Sequence, residues 1–312
     1  MSDTSTLAKL TPRPAGEVEP DSPVSEPSND LSTPEHARRS IAPATIARRG
    51  IQLFAVAALA FLLFATSLSG LAHARTQIGL QRHFRSELSS NSAAVGGAIP
   101  TGAPIATVVA SDIGLNEVVV QGSRSTQLRG GPGHVVGTPL PGQPGNAVIA
   151  GRRTMYGGPF RHLGSFHRGD LIHVTTGEGA TTYRVTSVAR LAAGDGSFVQ
   201  NHGDNRLTLF TTDSRWTANG RLVVTATLSG NPLPPTTLST TLDADGLGLT
   251  GERDAAPYML VWLELLAGAA LLAAYAASRW SKPRVWLVFA PVLTLIMWLF
   301  FESFVRLLPA TL

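Results

Sequence analysis

The sequence predicts a mainly β fold, a closed or nearly closed β-barrel of seven or eight short strands, together with three membrane-spanning helices. Three observations carry this prediction. Short β-branched and apolar runs recur between residues 106 and 228, separated by turns rich in Gly and Pro. Three long apolar stretches lie outside this region. Only 15% of the 312 residues are charged, whereas a typical soluble domain is roughly 25% charged.

The first predicted transmembrane helix covers residues 51–74. It begins with an uncharged run, Ile51–Ala72, that is long enough to cross a bilayer. Its end, Ala72-His73-Ala74, resembles a signal-peptidase site, so cleavage is the competing interpretation. The 50-residue leader and the length of the apolar run favour an uncleaved anchor. The residues just before the run include four arginines: Arg38, Arg39, Arg48 and Arg49.

The second and third predicted transmembrane helices cover residues 257–277 and 285–305. The loop between them, residues 278–284, carries Arg279, Lys282 and Arg284. Basic segments stay on the cytoplasmic side of a membrane. We therefore predict a multi-pass protein of the cell membrane, with its N-terminus and this loop in the cytoplasm and residues 75–256 outside the cell.

The remaining segments divide by composition. Residues 1–50 are rich in Pro, Ser and acidic side chains and hold almost nothing to bury, which predicts a disordered cytoplasmic tail. Residues 75–104 and 230–256 are predicted to be extracellular linkers. The folded domain between them is therefore predicted to cover residues 105–229, enough for one compact core.

The predicted strands are short and lie between strong turns. Residues 182–188 alternate with a period of two, as a half-buried strand should. The turns include Gly-Pro-Gly at 131–133 and Pro-Gly-Gln-Pro-Gly at 141–145. The predicted strands are Ala106–Ala110, Glu117–Gln121, Ala147–Ala150, Leu171–Thr175, Thr181–Ala189, Leu207–Thr211 and Leu222–Leu228.

Three segments, in this order, carry a family resemblance: GPGHVVGTPLPGQPGNAVIAGRRTMYGGPFRHL (131–163), TTYRVTSVAR (181–190) and RLTLFTTDSRWTANGRLVV (206–224). They resemble a sortase domain, and most of all the actinobacterial class E/F type. The resemblance implies a membrane-anchored, eight-stranded β-barrel transpeptidase of Gram-positive bacteria. It implies an extracytoplasmic Cys that attacks a Thr–Gly or Thr–Ala type bond in a sorting signal. An amino group of a cell-wall precursor or a pilin then resolves the acyl-enzyme.

The family's catalytic motifs are altered in this chain. Arg152, in AGRRT (150–154), stands where the family has His in Ala-Gly-His-Arg-Thr. Thr212, in TLFTT (208–212), stands where the family has Cys in Thr-Leu-x-Thr-Cys, and the chain contains no cysteine. Only the Arg that opens the last strand is retained, as Arg221. The resemblance thus implies a sortase-like domain in which the Cys and His positions are both substituted.

These substitutions remove both the nucleophile and the acid–base residue. A Thr hydroxyl needs an adjacent general base, and a guanidinium stays protonated in proteins, so Arg152 cannot be that base. Arg221 is left to donate hydrogen bonds to a substrate or an oxyanion. Because such residues act as a unit, we expect most of the chemistry to be lost. Catalysis could be restored by a new catalytic triad, formed by Thr211 or Thr212 with His202 and with Asp204 or Asp213.

A domain that keeps the barrel fold and its cleft can still bind a ligand after the catalytic residues are lost. Arg152, Arg153 and Arg221 are expected to converge at the mouth of the cleft, which suits a carboxylate, a phosphate or an extended acidic peptide. The alternative for Arg152 is a neutral replacement that pairs with an acid such as Asp213. Further candidate ligand-binding residues are Thr154, Thr211 and Trp216.

The leading hypothesis is a pseudo-sortase that binds or scaffolds a protein or peptide at the cell envelope. One alternative is an active non-cysteine transpeptidase or hydrolase that uses Thr212. Another is a subunit of a membrane complex assembled through the transmembrane helices, which the intramembrane carboxylate of Glu264 favours. No cofactor, metal site or nucleic-acid partner is expected. The histidines at 134, 162, 167 and 173 have no metal-ligand spacing and are expected at the surface or on edge strands.

Overall fold

Eight strands pair edge to edge and close into a barrel, which confirms the predicted β-barrel. The computed structural model describes residues 52, 55–215, 217–236, 247 and 251–312. The predicted tail, residues 1–50, lies outside the described residues. The strands are β1 (Pro104–Ala110), β2 (Leu115–Gln121), β3 (Gly133–His134), β4 (Asn146–Ala150), β5 (Leu171–Thr176), β6 (Gly179–Ala192), β7 (Arg206–Thr212) and β8 (Gly220–Ser229).

The strand order around the barrel is β1-β2-β3-β4-β7-β8-β6-β5, and β5 pairs with β1 to close it. The β2–β3 and β4–β7 pairs are parallel, and the other pairs are antiparallel. The β4–β7 pairing places Ala150 beside Phe210. In the neighbouring pair, Thr212 at the end of β7 lies opposite Arg221 at the start of β8. Long-range pairing therefore brings three separate sequence motifs to one edge of the barrel.

The barrel interior is filled by one apolar cluster that receives alternate side chains of the strands. In β6, Tyr183 and Val185 are buried in this cluster, whereas Arg184 between them is exposed. The Tyr183 hydroxyl accepts a 2.6 Å hydrogen bond from the backbone N–H of Gly142. This bond ties the turn at 141–145 to the core.

A helix leads into the barrel from the N-terminal side. Residues 55–63 are helical and continue through a π-helical turn, Phe64–Leu68, into α1 (Ser69–Ser89). Residues 75–104, predicted as a linker, therefore begin in a helix. The Gln77 side chain docks α1 on β2, because its amide accepts the N–H of Val118 at 2.8 Å and donates to the Val118 carbonyl at 3.1 Å.

Two helices follow the barrel, α2 (Ala256–Arg279) and α3 (Lys282–Leu307). Both are long and apolar enough to cross a membrane. The sequence predicts three such helices, and two are found among the described residues. The first predicted span lies partly outside those residues, since 51, 53 and 54 are not among them. The third was predicted as residues 285–305, and α3 extends beyond it at both ends.

Ion pairs join the barrel and the segment before α2 to the end of α3. Arg129, from the loop after β2, pairs with Glu302. Glu252, just before α2, lies 2.9 Å from the Arg306 guanidinium and accepts hydrogen bonds from the backbone N–H and the hydroxyl of Thr126. The beginning of α2 and the end of α3 therefore both lie on the barrel side of the helical hairpin.

His134 was expected at the surface or on an edge strand, and this expectation is wrong: β3 pairs with β2 on one side and β4 on the other, and the imidazole is completely buried. The ring lies 2.9 Å from the side-chain oxygen of Gln121 and 2.9 Å from the carbonyl of Pro139. Burial lowers the pKa of His134 from its ordinary value of 6.5 to about 4, because the charged form loses its hydration. The folded chain therefore holds His134 neutral at pH values where the unfolded chain protonates it.

This difference predicts a loss of stability in mild acid. The contribution is fully present above pH 6.5 and is lost as the pH falls towards the folded-state pKa of about 4. We expect His134 to account for a loss of about 2 kcal/mol of unfolding free energy between pH 7 and pH 5. Chemical denaturation at both pH values, followed by circular dichroism, measures it. His134→Gln should flatten the pH dependence by this amount, and the exposed His202→Gln should not; equal slopes in wild type and His134→Gln would contradict the assignment.

Candidate functional site

One edge of the barrel carries the altered motifs on its outer face. Leu207 and Leu209 of β7 point into the barrel core, whereas Phe210 packs in a second apolar cluster outside it. Thr212 lies on the same face as Phe210, since side chains alternate along a strand. The second cluster is formed by Leu128, Val135, Val148, Ala150, Phe198, Phe210, Val223 and Ala310. Leu128 and Phe198 come from two loops, so the face is a cleft between loops rather than an open sheet.

Arg152 lies just beyond the end of β4, and its side chain is 0% exposed. Its Nη2 donates to the side-chain oxygen of Ser125 at 2.8 Å and to the Ser125 carbonyl at 3.2 Å. Its Nε and Nη1 have no hydrogen-bond partner among the described residues. Burial lowers the pKa of Arg152 to about 10, so the group remains a cation at neutral pH and cannot accept a proton.

Tyr156 is the aromatic partner of this cation. Its ring centre lies 5.1 Å from the Arg152 guanidinium and 5.5 Å from that of Arg129. A cation at this distance over an aromatic face is stabilised by the ring quadrupole. The backbone of Tyr156 has φ 49°, a left-handed conformation that is uncommon for a residue other than Gly. The chain therefore stores local strain where it places this ring.

Arg221 is also buried, with 2% of its surface exposed. Its guanidinium lies 4.9 Å from the ring centre of Phe198 and 5.4 Å from that of Phe210. Its Nε donates to the carbonyl of Ala193, and its Nη1 has no partner among the described residues. Burial lowers the pKa of Arg221 to about 10, which leaves it charged at neutral pH.

The Thr212 hydroxyl lies 3.0 Å from the Ser214 carbonyl and 3.4 Å from the Thr311 carbonyl. Among the described residues, the hydrogen bonds of this hydroxyl include no imidazole and no carboxylate. Thr211 is buried beside it and donates to the same Thr311 carbonyl at 3.3 Å. Arg153 is half-buried, and its Nη1 donates to the Thr212 carbonyl at 3.3 Å.

The segment that follows α3, Leu308–Leu312, lies in this cleft. The carbonyl of Thr311 accepts the backbone N–H of Arg153 at 3.1 Å, and the carbonyl of Leu312 accepts that of Thr154 at 3.2 Å. Ala310, Thr311 and Leu312 are 1%, 2% and 7% exposed. The site beside Thr212 is therefore filled by a short segment of the same chain.

The structure brings most of the predicted site residues together. Arg152, Arg153, Thr154, Thr211, Thr212 and Arg221 all lie at this edge of the barrel. The hydroxyl of Thr154 donates to the Arg215 carbonyl at 2.8 Å. Arg152 and Arg221 are buried within the cleft wall rather than displayed at its mouth. Trp216 lies outside the described residues.

Two alternatives for this site do not form. The hydrogen bonds of the Arg152 guanidinium go to Ser125, so it does not form the ion pair with Asp213 that the first alternative requires. The rebuilt triad is separated by the length of β7: His202 is exposed in the loop before that strand, and Thr212 ends it. Six residue steps along a strand span roughly 20 Å. Among the described residues, no three His, Asp or Glu side chains are grouped to hold a metal ion.

Sequence reasoning missed the loop residues Ser125, Leu128 and Phe198, because nothing in their local pattern distinguishes them from other loop residues. It also missed Leu308–Leu312. A signal for this segment was present: Pro309 disfavours helix in the residue before it, and the predicted topology puts the residues after the third span on the barrel side. The two facts together place an extended segment next to the outer domain.

The barrel region is similar to known proteins. Residues 108–229 match the family model described as Sortase domain, which is less than half of the chain. The matched residues lie within the eight-stranded barrel, whose first strand begins at Pro104. No curated protein matches the chain.

Similar solved structures are those of several sortases. The Sortase D5 transpeptidase of Clostridium perfringens is 25% identical, with 51% of this chain and 99% of that chain covered and a TM-score of 0.44. Sortase E from Streptomyces avermitilis is 28% identical, with 44% and 93% covered and a TM-score of 0.39. Sortase C-1 from Actinomyces oris is 20% identical, with 49% and 98% covered and a TM-score of 0.38.

Proposed function

We propose that this chain is a membrane-anchored pseudo-sortase of class E/F-like type that binds an extended peptide at the cell envelope and does not catalyse transpeptidation. One observation carries the loss of catalysis: the described hydrogen bonds of the Thr212 hydroxyl are to backbone carbonyls. A carbonyl oxygen cannot act as a general base for this hydroxyl. The group at the position of the family's His, Arg152, is a buried cation that cannot take its proton.

The binding part of the proposal depends on what remains in the cleft. Apolar side chains form its floor and walls. Backbone N–H groups of Arg153 and Thr154 and the hydroxyls of Thr211 and Thr212 are within hydrogen-bond distance of the carbonyls of Thr311 and Leu312, so these donors can bind a peptide backbone. Main-chain hydrogen bonds with alternate side-chain pockets are a common mode of peptide recognition. These features favour an extended peptide as the ligand.

The proposed location is the outer face of the cell membrane of a Gram-positive, actinobacterial-type cell, with three transmembrane helices and a cytoplasmic N-terminus. Helices α2 and α3 have 24 and 26 residues, and a helix of about 20 residues crosses the hydrocarbon core. Their side chains are mostly exposed. The basic residues Arg279 and Arg284 flank the loop on the far side of the hairpin from the barrel, as the positive-inside rule requires.

The test is an activity assay on the full chain and on a chain ending at Leu307, both reconstituted in lipid nanodiscs. The shortened chain excludes the trivial explanation that Leu308–Leu312 blocks an active site. Peptides containing Thr–Gly and Thr–Ala bonds are incubated with each protein and with a glycine-based amine, and products are followed by mass spectrometry. We expect no cleavage, no amine exchange and no covalent adduct above the buffer background in either protein.

A Thr-dependent enzyme would give the opposite pattern. Turnover or an adduct that disappears in Thr212→Ala and persists in Thr76→Ala would overturn the proposal. Thr76 is the matched control because its hydroxyl is exposed on α1 and donates locally, to the Ala72 carbonyl.

A further inference from the structure

We propose that Leu308–Leu312 is a tethered ligand of the cleft, and that a peptide of the same chemistry binds in trans only when this segment leaves. The inference rests on the proposed peptide-binding function and adds the ligand class and a mode of regulation. The ligand class is an extended peptide with a small side chain at the position of Ala310 and an apolar side chain at the position of Leu312.

Backbone recognition is the first observation. The Thr311 carbonyl accepts from the N–H of Arg153 at 3.1 Å and lies within reach of the Thr211 and Thr212 hydroxyls at 3.3 and 3.4 Å. One residue further, the Leu312 carbonyl accepts from the N–H of Thr154. Hydrogen bonds to main-chain carbonyls do not depend on the side chains of the bound segment. An extended peptide whose side chains fit the cleft can therefore replace Leu308–Leu312.

The pocket for Ala310 is the second observation. Its methyl group belongs to the cleft cluster, which also contains Phe210 and Val223 of the sheet and Leu128 and Phe198 of the loops. Only 1% of Ala310 is exposed. A larger side chain would have to displace close-packed residues, which a well-packed interior resists. The cleft therefore selects a small residue here.

The pocket for Leu312 is the third observation. This side chain belongs to a separate apolar cluster with Phe64, Met155, Tyr156 and Phe301. A cavity of about 210 Å³ adjoins it, lined by Phe61, Thr154, Met155, Arg215, Phe304, Leu308 and Leu312. The cleft therefore selects an apolar residue at this position and has room for one larger than Leu.

The attachment to α3 explains why the segment competes with an outside ligand. The end of α3 is held against the barrel by the Arg129–Glu302 and Glu252–Arg306 pairs. A short tether gives the attached segment an effective concentration in the millimolar range. A peptide in trans at micromolar concentration therefore competes poorly until the segment is removed.

The experiment measures binding of a fluorescein-labelled, C-terminally amidated hexapeptide, Leu-Leu-Pro-Ala-Thr-Leu, by fluorescence polarisation. The proteins are the full chain and a chain ending at Leu307, both in nanodiscs and both checked for cooperative unfolding. We expect the shortened chain to bind the peptide at least tenfold more tightly than the full chain. A control peptide with Trp in place of its Ala should bind the shortened chain at least tenfold more weakly than the parent peptide.

A second variant tests the same inference without shortening the chain, in case the shortened chain misfolds. Ala310→Trp keeps the full length of the chain but should expel the segment, and we expect it to raise peptide affinity in the same way. Equal affinity of the full and opened chains would overturn the tethered-ligand inference while leaving peptide binding intact. No binding to a folded, opened chain would instead overturn the proposed peptide-binding function.

Discussion

Replacing Gly151 by Ala should lower the free energy of unfolding by about 3 kcal/mol or more. A Cβ at Gly151 would lie 2.3 Å from Cδ2 of Phe160 and 2.5 Å from its Cγ. Phe160 is fully buried in the barrel core, so its ring has no room to withdraw. The backbone at Gly151 is also held, because its N–H donates to the Phe210 carbonyl at 3.1 Å.

The same change should disturb the cleft, since Arg152 follows directly and Arg153 binds the Thr311 carbonyl. Chemical denaturation in nanodiscs measures the loss of stability. The matched control is Gly194→Ala, where a Cβ meets nothing within 4 Å, and which we expect to change stability by less than about 0.5 kcal/mol. A Gly151→Ala protein as stable as wild type would mean that Phe160 does not pack against this glycine.

Replacing Arg152 by Met together with Ser125 by Ala should raise the free energy of unfolding by about 2 kcal/mol. Arg152 is a completely buried cation with two nitrogens that lack partners among the described residues. Removing such a charge in favour of an apolar side chain of similar size is often neutral or stabilising. Ser125→Ala is included because its buried hydroxyl loses the Arg152 donor.

The control for this prediction is Arg168→Met, at an exposed position, which should change stability by less than about 0.5 kcal/mol. Thermal and chemical denaturation of the three proteins provide the comparison. A clear loss of stability in the double variant would show that the guanidinium, through Ser125 and Tyr156, is a structural element of the barrel edge. A gain in the free energy of unfolding would show that the buried Arg152 destabilises the fold.

Much of the barrel could be predicted from local sequence. All seven predicted strands lie within observed strands, because alternation and turn residues are local signals. The strand that was missed, β3, has only two residues, Gly133 and His134. It is held by pairing with β2 and β4, which no local pattern reveals. His134 was misplaced for the same reason, since it becomes buried only through this pairing.

The site was predictable by position and not by environment. The resemblance to the sortase family implied that Arg152, Thr212 and Arg221 are neighbours, and the register of β4, β7 and β8 brings their motifs to one edge. Arg152 and Arg221 were expected to form a basic surface at the mouth of the cleft. They do not, because Tyr156 covers Arg152, and Phe198 and Phe210 cover Arg221. These aromatic contacts join residues far apart in the chain.

The sequence by itself determined three things about this protein: a β-barrel with a match to the sortase domain model, apolar helices outside it, and a chain without a cysteine nucleophile. Each follows from residue type or short-range pattern. Only the tertiary structure decided that Arg152 is a buried cation and that Leu308–Leu312 fills the cleft beside Thr212. Burial and cleft occupancy depend on contacts between residues about 100 positions apart, such as Thr211 and Thr311. Local pattern carries no information on such contacts, because they form only when the barrel and the hairpin of α2 and α3 have come together.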